Sequence, residues 1–123
     1  MSGYGEYKFA TKDFYEGNFK NDKFNGHGKL TYNNGDCYEG NFVNNFKEGQ
    51  GIYTYFNGDV YNGNWIKDIK HGEGKYTYKS TGDRYEGDWQ DNIKNGNGIY
   101  IYSNNDIYKG SFRNGKKNGI GIM

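Results

Sequence analysis

The sequence predicts an all-β protein: an elongated, single-layer antiparallel β-meander of 23-residue β-hairpin repeats, curled around an aromatic stripe. Three observations predict it. Tyr15, Tyr38, Tyr61, Tyr85 and Tyr108 follow one another at spacings of 23, 23, 24 and 23. Within each unit large and small residues alternate with period two, the signature of a strand with one apolar face. The chain of 123 residues holds 21 Gly, no Pro and 24 aromatics, of which 14 are Tyr. The core must therefore be made of rings, each able to bury on the order of 150–250 Å². Leu, Ile, Val and Phe together number only 20. Such poverty accompanies disorder when net charge is high, but here 16 basic residues meet 15 acidic ones, leaving +1.

The elements follow in chain order. Residues 1–14 form a half repeat, because Gly3, Gly5, Phe9 and Asp13 stand where Gly26, Gly28, Tyr32 and Asp36 stand in the next unit. Full repeats occupy 15–37, 38–60, 61–84 and 85–107, and a partial one 108–123, so the array is a single domain of about ten strands. Two residues after each opening Tyr comes a Gly, and two further on a large ring: Phe19, Phe42, Trp65, Trp89 and Phe112. Seven residues later stands the first Gly of a Gly-x-Gly pair, from Gly26-x-Gly28 to Gly119-x-Gly121. Tyr32, Tyr55, Tyr78 and Tyr102 hold the eighteenth position, and Asp36, Asp59, Asp83 and Asp106 precede the next opening Tyr by two. Asn34-Gly35 and Asn57-Gly58 mark tight connections. A two-residue loop there would put rings on both faces, so parity predicts three or five residues. The extra residue within Lys79–Asp83 breaks that parity and is expected to be absorbed as a bulge.

The unit resembles the MORN repeat, a 23-residue motif beginning Y-x-G-x-W. It reads YEGNF, YEGNF, YNGNW, YEGDW and YKGSF, each followed by six residues and then G-x-G. The resemblance covers Gly3 to Met123. The family's Asn-Gly turn survives only at Asn114-Gly115; Asn21-Asp22, Asn44-Asn45, Lys67-Asp68 and Asp91-Asn92 replace it, so loops of different shape are expected there. The aromatic hairpin repeat of bacterial cell-wall-binding proteins is the runner-up, but its adjacent Trp-Tyr-Tyr clusters are missing. The resemblance implies membrane–cytoskeleton junctions as a setting, and arrays that elsewhere flank kinase and methyltransferase domains.

Candidate sites follow from the same columns. The aromatic face (Tyr15, Phe19, Tyr32, Tyr38, Phe42, Tyr55, Tyr61, Trp65, Tyr78, Tyr85, Trp89, Tyr102, Tyr108 and Phe112) is core first. A single layer leaves its apolar face without a second layer, so part of the stripe is expected to remain open as an interaction groove. Lys47, Lys70, Lys94 and Lys117 share the tenth position and could meet anionic headgroups. Their loops are neutral except the last, and steps of ~10 Å equal about one Debye length, so a solvated edge with weak or no lipid binding is expected. The Asp column reads as local turn hydrogen bonding, since one carboxylate per step cannot build a Ca²⁺ cage. His27 and His71 hold different positions, and Cys37 stands alone, so no metal or other cofactor is expected.

No nucleophile elbow, HExxH or P-loop occurs, and no catalytic residue is assigned. Near-neutral charge argues against nucleic acid as a partner. No run of 18 apolar residues exists, and Met1–Lys20 has no charged start with an apolar run, which points to a cytoplasmic setting, at the cytoskeleton or inner membrane surface. Gly119, Ile120, Gly121, Ile122 and Met123 form an uncharged strand without a following hairpin, the expected edge of a homodimer. The function expected is a non-enzymatic protein-interaction scaffold. The alternatives are a peripheral module for anionic headgroups and an accessory array of a larger enzyme.

Overall fold

Alternation of ring and polar side chains sets the strands, and left-handed two-residue turns fold them into hairpins. The computed structural model describes residues 2–122, and of 119–122 only the backbone. Its strands are β1 (Gly3–Lys8), β2 (Phe14–Lys20), β3 (Lys23–Thr31), β4 (Cys37–Val43), β5 (Phe46–Thr54), β6 (Val60–Ile66), β7 (Ile69–Thr77), β8 (Arg84–Gln90), β9 (Ile93–Ile101), β10 (Ile107–Arg113) and β11 (Lys116–Ile122). They form one open antiparallel sheet in the order β1 to β11. That is one strand more than the ten expected, because Gly3–Lys8 pairs fully with β2. No helix occurs among the described residues.

Register puts rings opposite rings. Tyr61 faces Tyr53 on one side and Tyr76 on the other, and Tyr85 faces Tyr76 and Tyr100. Glycines also face glycines: Gly5, Gly17, Gly28, Gly40, Gly51, Gly63, Gly74, Gly87, Gly98 and Gly110 form one unbroken row across β1–β10. The opening tyrosine explains the row. A Cβ on Gly74 would sit 2.4 Å from the Tyr61 hydroxyl oxygen and 2.5 Å from its ring. The ring lies flat where a side chain would stand.

The first Gly of each Gly-x-Gly has a different task. Register shifts between Gly17 and Phe19, Gly40 and Phe42, Gly63 and Trp65, and Gly87 and Trp89. Opposite each shift the partner strand carries two extra residues, which bend the sheet while preserving face parity. Gly26, Gly49, Gly72 and Gly96 sit in these bulges at φ of 93°, 86°, 81° and 109°, a region costly for any residue with a Cβ.

Both loop expectations are decided here. Three residues separate Tyr32 from Asp36, closed by Tyr32 N–H to Asp36 C=O at 2.9 Å and Gly35 N–H to Tyr32 C=O at 3.0 Å, as parity requires. The extra residue near Ser80 is not absorbed as a strand bulge. Tyr76 still faces Tyr85, and Tyr78 N–H bonds to Asp83 C=O at 2.9 Å, so the residue lengthens the loop to Lys79–Gly82. The hairpin turns do not differ in shape either. Asn21-Asp22, Asn44-Asn45, Lys67-Asp68 and Asp91-Asn92 all adopt positive φ at both residues, as Asn114-Gly115 does. Polar residues tolerate the left-handed region, and each turn after the first gains a partner: the N–H of Asn45, Asp68, Asn92 and Gly115 donates to the carbonyl of Phe24, Lys47, Lys70 and Lys94 in the preceding repeat.

Candidate interaction surface

On the ring face, the first and fifth positions of each repeat are closed off. Tyr15, Tyr38, Tyr61 and Tyr85 are fully buried, and Phe19, Phe42, Trp65, Trp89, Tyr108 and Phe112 nearly so. Each opening hydroxyl donates to the carbonyl three residues on, as Tyr61 does to Asn64 at 2.9 Å. Tyr38 meets Phe42 and Trp65 edge-on, with centroids 5.1 and 5.4 Å away, a favoured aromatic geometry. Burial pushes the Tyr15 hydroxyl up to about 12 and raises Tyr38, Tyr61 and Tyr85 further.

Tyr32, Tyr55, Tyr78 and Tyr102 remain half-buried. Beside them run Tyr53, Tyr76 and Tyr100, which sequence reasoning overlooked although they recur at spacings of 23 and 24. Together they make a ribbon of tyrosines, with Tyr53 and Tyr55 centroids 4.7 Å apart and Tyr76 and Tyr78 4.6 Å.

The tenth-position lysines are the main departure from the sequence reading. Lys47 is not a solvated edge residue: its side chain is only 12% exposed. Its Nζ donates to the Tyr32 hydroxyl at 2.8 Å and lies 5.4–5.8 Å from the ring centroids of Tyr32, Tyr38, Tyr53 and Trp65. Lys70 sits among Tyr55, Tyr61, Trp65, Tyr76 and Trp89 at 5.0–5.9 Å and donates to the Tyr55 hydroxyl. Lys94 does the same among Tyr78, Tyr85 and Tyr100. Lys117 is exposed but lies over Tyr102 and Tyr108. Burial, helped by the Lys47 ammonium, pushes the Lys70 amine down to about 8; the ring faces act the other way, favouring the cation. Burial also lowers Lys94. In the first full repeat the place is taken by Phe24, stacked on Tyr15 at 3.7 Å. Lys47, Lys70 and Lys94 are thus cations enclosed by rings, one in each of the second to fourth full repeats. Its signal was present in the sequence: Phe is an odd substitute for a solvated lysine and an ordinary one for a side chain packed on rings.

The Asp column is also more than local. Asp36 accepts the Phe56 N–H and the Tyr53 hydroxyl, each at 2.7 Å. Asp59 accepts Lys79 N–H and Tyr76 hydroxyl, both at 2.8 Å, and Asp83 accepts Ser103 N–H at 2.9 Å and Tyr100 hydroxyl at 2.8 Å. Each carboxylate latches its repeat to the next. Among the described residues no three His, Cys, Asp or Glu side chains converge as a metal site. His27 instead approaches Glu39 at 3.5 Å, and Cys37 is a free thiol. The expected dimer edge falls largely outside the description: Met123 is not described, nor are the side chains of 119–122.

The opposite, outer face is mostly polar over the glycine row, with Ile52 and Ile99 among the polar side chains. An open trough of about 800 Å³ runs there, with Asn62, Glu73, Lys75, Glu86, Asp88 and Lys109 among its walls.

An open, single-layer sheet of latched hairpins with an aromatic face defines a repeat scaffold. The chain belongs to the MORN repeat family: the model of the MORN repeat matches residues 1–14, 15–37, 38–60, 61–82, 85–107 and 108–123. No curated protein matches it.

Proposed function

We infer that the chain is a non-enzymatic protein-interaction scaffold that uses its tyrosine ribbon as a binding surface. One observation carries the reading. Tyr32, Tyr53, Tyr55, Tyr76, Tyr78, Tyr100 and Tyr102 stay partly open while the rings beside them are closed. A half-wet tyrosine row offers apolar area and polar edges together, the composition of interface hot spots. The setting proposed is the cytoplasmic side of a membrane–cytoskeleton junction, with self-association through the C-terminal repeat, checked by light scattering on the chain and on Ile122→Lys.

The test is capture at ~150 mM salt, where exposed charges are largely screened, with the wild type and a Tyr55→Phe/Tyr78→Phe variant. Partners retained by the first and lost by the second support the reading. A captured set that ignores the ribbon overturns it. Direct binding of anionic headgroups is the weaker reading, because three of the four lysines it would use are enclosed by rings. Service as an accessory array to a larger enzyme is compatible with the same ribbon.

A further inference from the structure

The outer face carries a second feature at its turn end. Positions six and nine flank every two-residue turn and pair across it: Lys20 with Lys23, Val43 with Phe46, Ile66 with Ile69, and Gln90 with Ile93; Arg113 pairs with Lys116 in the last hairpin. All point away from the rings. Val43, Phe46, Ile66 and Ile93 are 42–49% exposed. Apolar side chains therefore hold this row on β4 to β7 and again on β9, with exposed Gln90 between them on β8, a span of about 24 Å at ~4.8 Å per strand. Both its ends are cationic, Lys20 with Lys23 and Arg113 with Lys116, some 38 Å apart by the same spacing. Two carboxylates near the row are engaged, while Asp22 stands in the turn between Lys20 and Lys23 and Asp91 in the turn between Gln90 and Ile93. Asp68 accepts the Lys47 N–H at 2.7 Å and approaches Lys47 Nζ, and Glu48 accepts the Lys67 N–H. A hollow of about 230 Å³ opens beside Ile93, walled by Gln90, Asp91, Asn95 and Asn114.

We propose that this row docks an amphipathic α-helix of a partner protein, patterned in heptads and acidic at both ends. The periods match. Two strands advance about 9.6 Å per repeat, and seven helical residues advance about 10.5 Å. Successive apolar pairs of a heptad helix therefore fall on successive pairs Val43–Phe46 and Ile66–Ile69, and a further side chain meets the hollow at Ile93. Acidic ends answer the two cation pairs, which lie several Debye lengths apart and act independently. An anionic membrane fits less well. The apolar side chains stand flush among polar neighbours on a sheet face, and the middle of the row has no net cationic charge to hold headgroups. The row lies on the face opposite the tyrosine ribbon, so neither proposal depends on the other.

The experiment uses the whole chain and a labelled peptide of about 25 residues, with leucine heptads in the middle and glutamates at both ends, read by fluorescence anisotropy. A second peptide carries lysines at the ends. The glutamate peptide binds, and the lysine peptide binds at least about tenfold more weakly. Phe46→Lys/Ile66→Lys lowers affinity for the glutamate peptide by roughly tenfold or more. That variant folds, because lysine or arginine already holds the same two positions at Lys20, Lys23, Arg113 and Lys116; an unchanged melting temperature verifies it. Lys20→Ser/Lys23→Ser narrows the difference between the peptides, and Tyr55→Phe leaves binding unchanged. Equal binding of both peptides, no binding of either, or indifference to Phe46→Lys/Ile66→Lys overturns the proposal. So does capture on anionic vesicles that Phe46→Lys/Ile66→Lys abolishes while the peptide fails to bind, which would reassign the row to a membrane.

Discussion

Gly63 and Asn64 are chain neighbours on opposite faces of β6, and valine at the two positions has opposite consequences. At Gly63 a new Cβ would lie 2.5 Å from the Gly74 α-carbon, 2.6 Å from the Tyr61 hydroxyl oxygen and 2.8 Å from the Glu73 carbonyl. Two of these three atoms are backbone and cannot swing away. Overpacking of this kind costs about 1–3 kcal/mol. Displacing Tyr61 also strains its 2.9 Å hydrogen bond to Asn64, worth about 1 kcal/mol. Loss of glycine's freedom in the unfolded chain returns about 0.4–1 kcal/mol. The net for Gly63→Val is a destabilisation of about 1–3.5 kcal/mol, which for a chain of this size lowers the melting temperature by roughly 3–18 °C. Asn64 is exposed, valine suits a strand, and Asn64→Val stays within about 0.5 kcal/mol of wild type. Paired thermal and urea unfolding by far-ultraviolet circular dichroism reads both. Adding Tyr61→Phe to Gly63→Val gives partial rescue only, because the clash with the Gly74 backbone remains. Equal melting temperatures for the two single variants would refute the face assignment, and full rescue by Tyr61→Phe would refute the backbone part of the argument.

Stability should rise with pH from about 8 to about 9: Lys70 is pushed down to about 8 in the fold from 10.5, so the unfolded chain holds more protons there. Above pH ~9 the trend reverses, because the many tyrosines raised by burial keep protons that unfolded tyrosines begin to lose as pH approaches ~10; Lys70→Met flattens the rise in a melting-temperature profile. Asp59→Ala removes acceptors for Lys79 N–H and the Tyr76 hydroxyl and lowers urea stability by about 2–3 kcal/mol, with Asp59→Asn recovering part. Flotation with anionic vesicles at ~150 mM salt should show weak or no binding, since stable attachment takes clustered cations or an acyl chain; saturable binding there would promote the headgroup reading.

The sheet was legible because its determinants are local and repeated five times. Period two fixes the face of every residue, and a 23-residue interval carries that assignment from one repeat to the next. Loop length at Tyr32–Asp36 followed from parity alone. Features that depend on which strand positions meet were harder to see. The glycine row needs the cross-strand register of Gly63 with Gly74, and that register depends on a two-residue bulge that no single repeat announces. The bulge was expected at Ser80 because a length change is visible in sequence, whereas Gly26 and its equivalents keep the period and conceal theirs.

The lysine column shows why chemistry at a fixed position is a weaker guide than its packing. Counting charge in the loops around Lys47, Lys70 and Lys94 gave near-neutral segments and suggested solvated side chains. The count ignored that the tenth position lies on the ring face, between an eighteenth-position tyrosine of the preceding repeat and the opening tyrosine of its own. A four-carbon stem there has apolar surface to cover and an ammonium that ring faces accept. Phe24 fills the same place at the N-terminal end, where the preceding half repeat offers Phe9, edge-on at 5.8 Å and without a hydroxyl to accept from an ammonium, and it stacks directly on Tyr15. The same logic separates the array's two apolar sets. Rings of the opening and fifth positions are consumed in closing the core, so a partner reaches what the repeat leaves over, including the outer tyrosines on one face and the row from Val43 to Ile93 on the other.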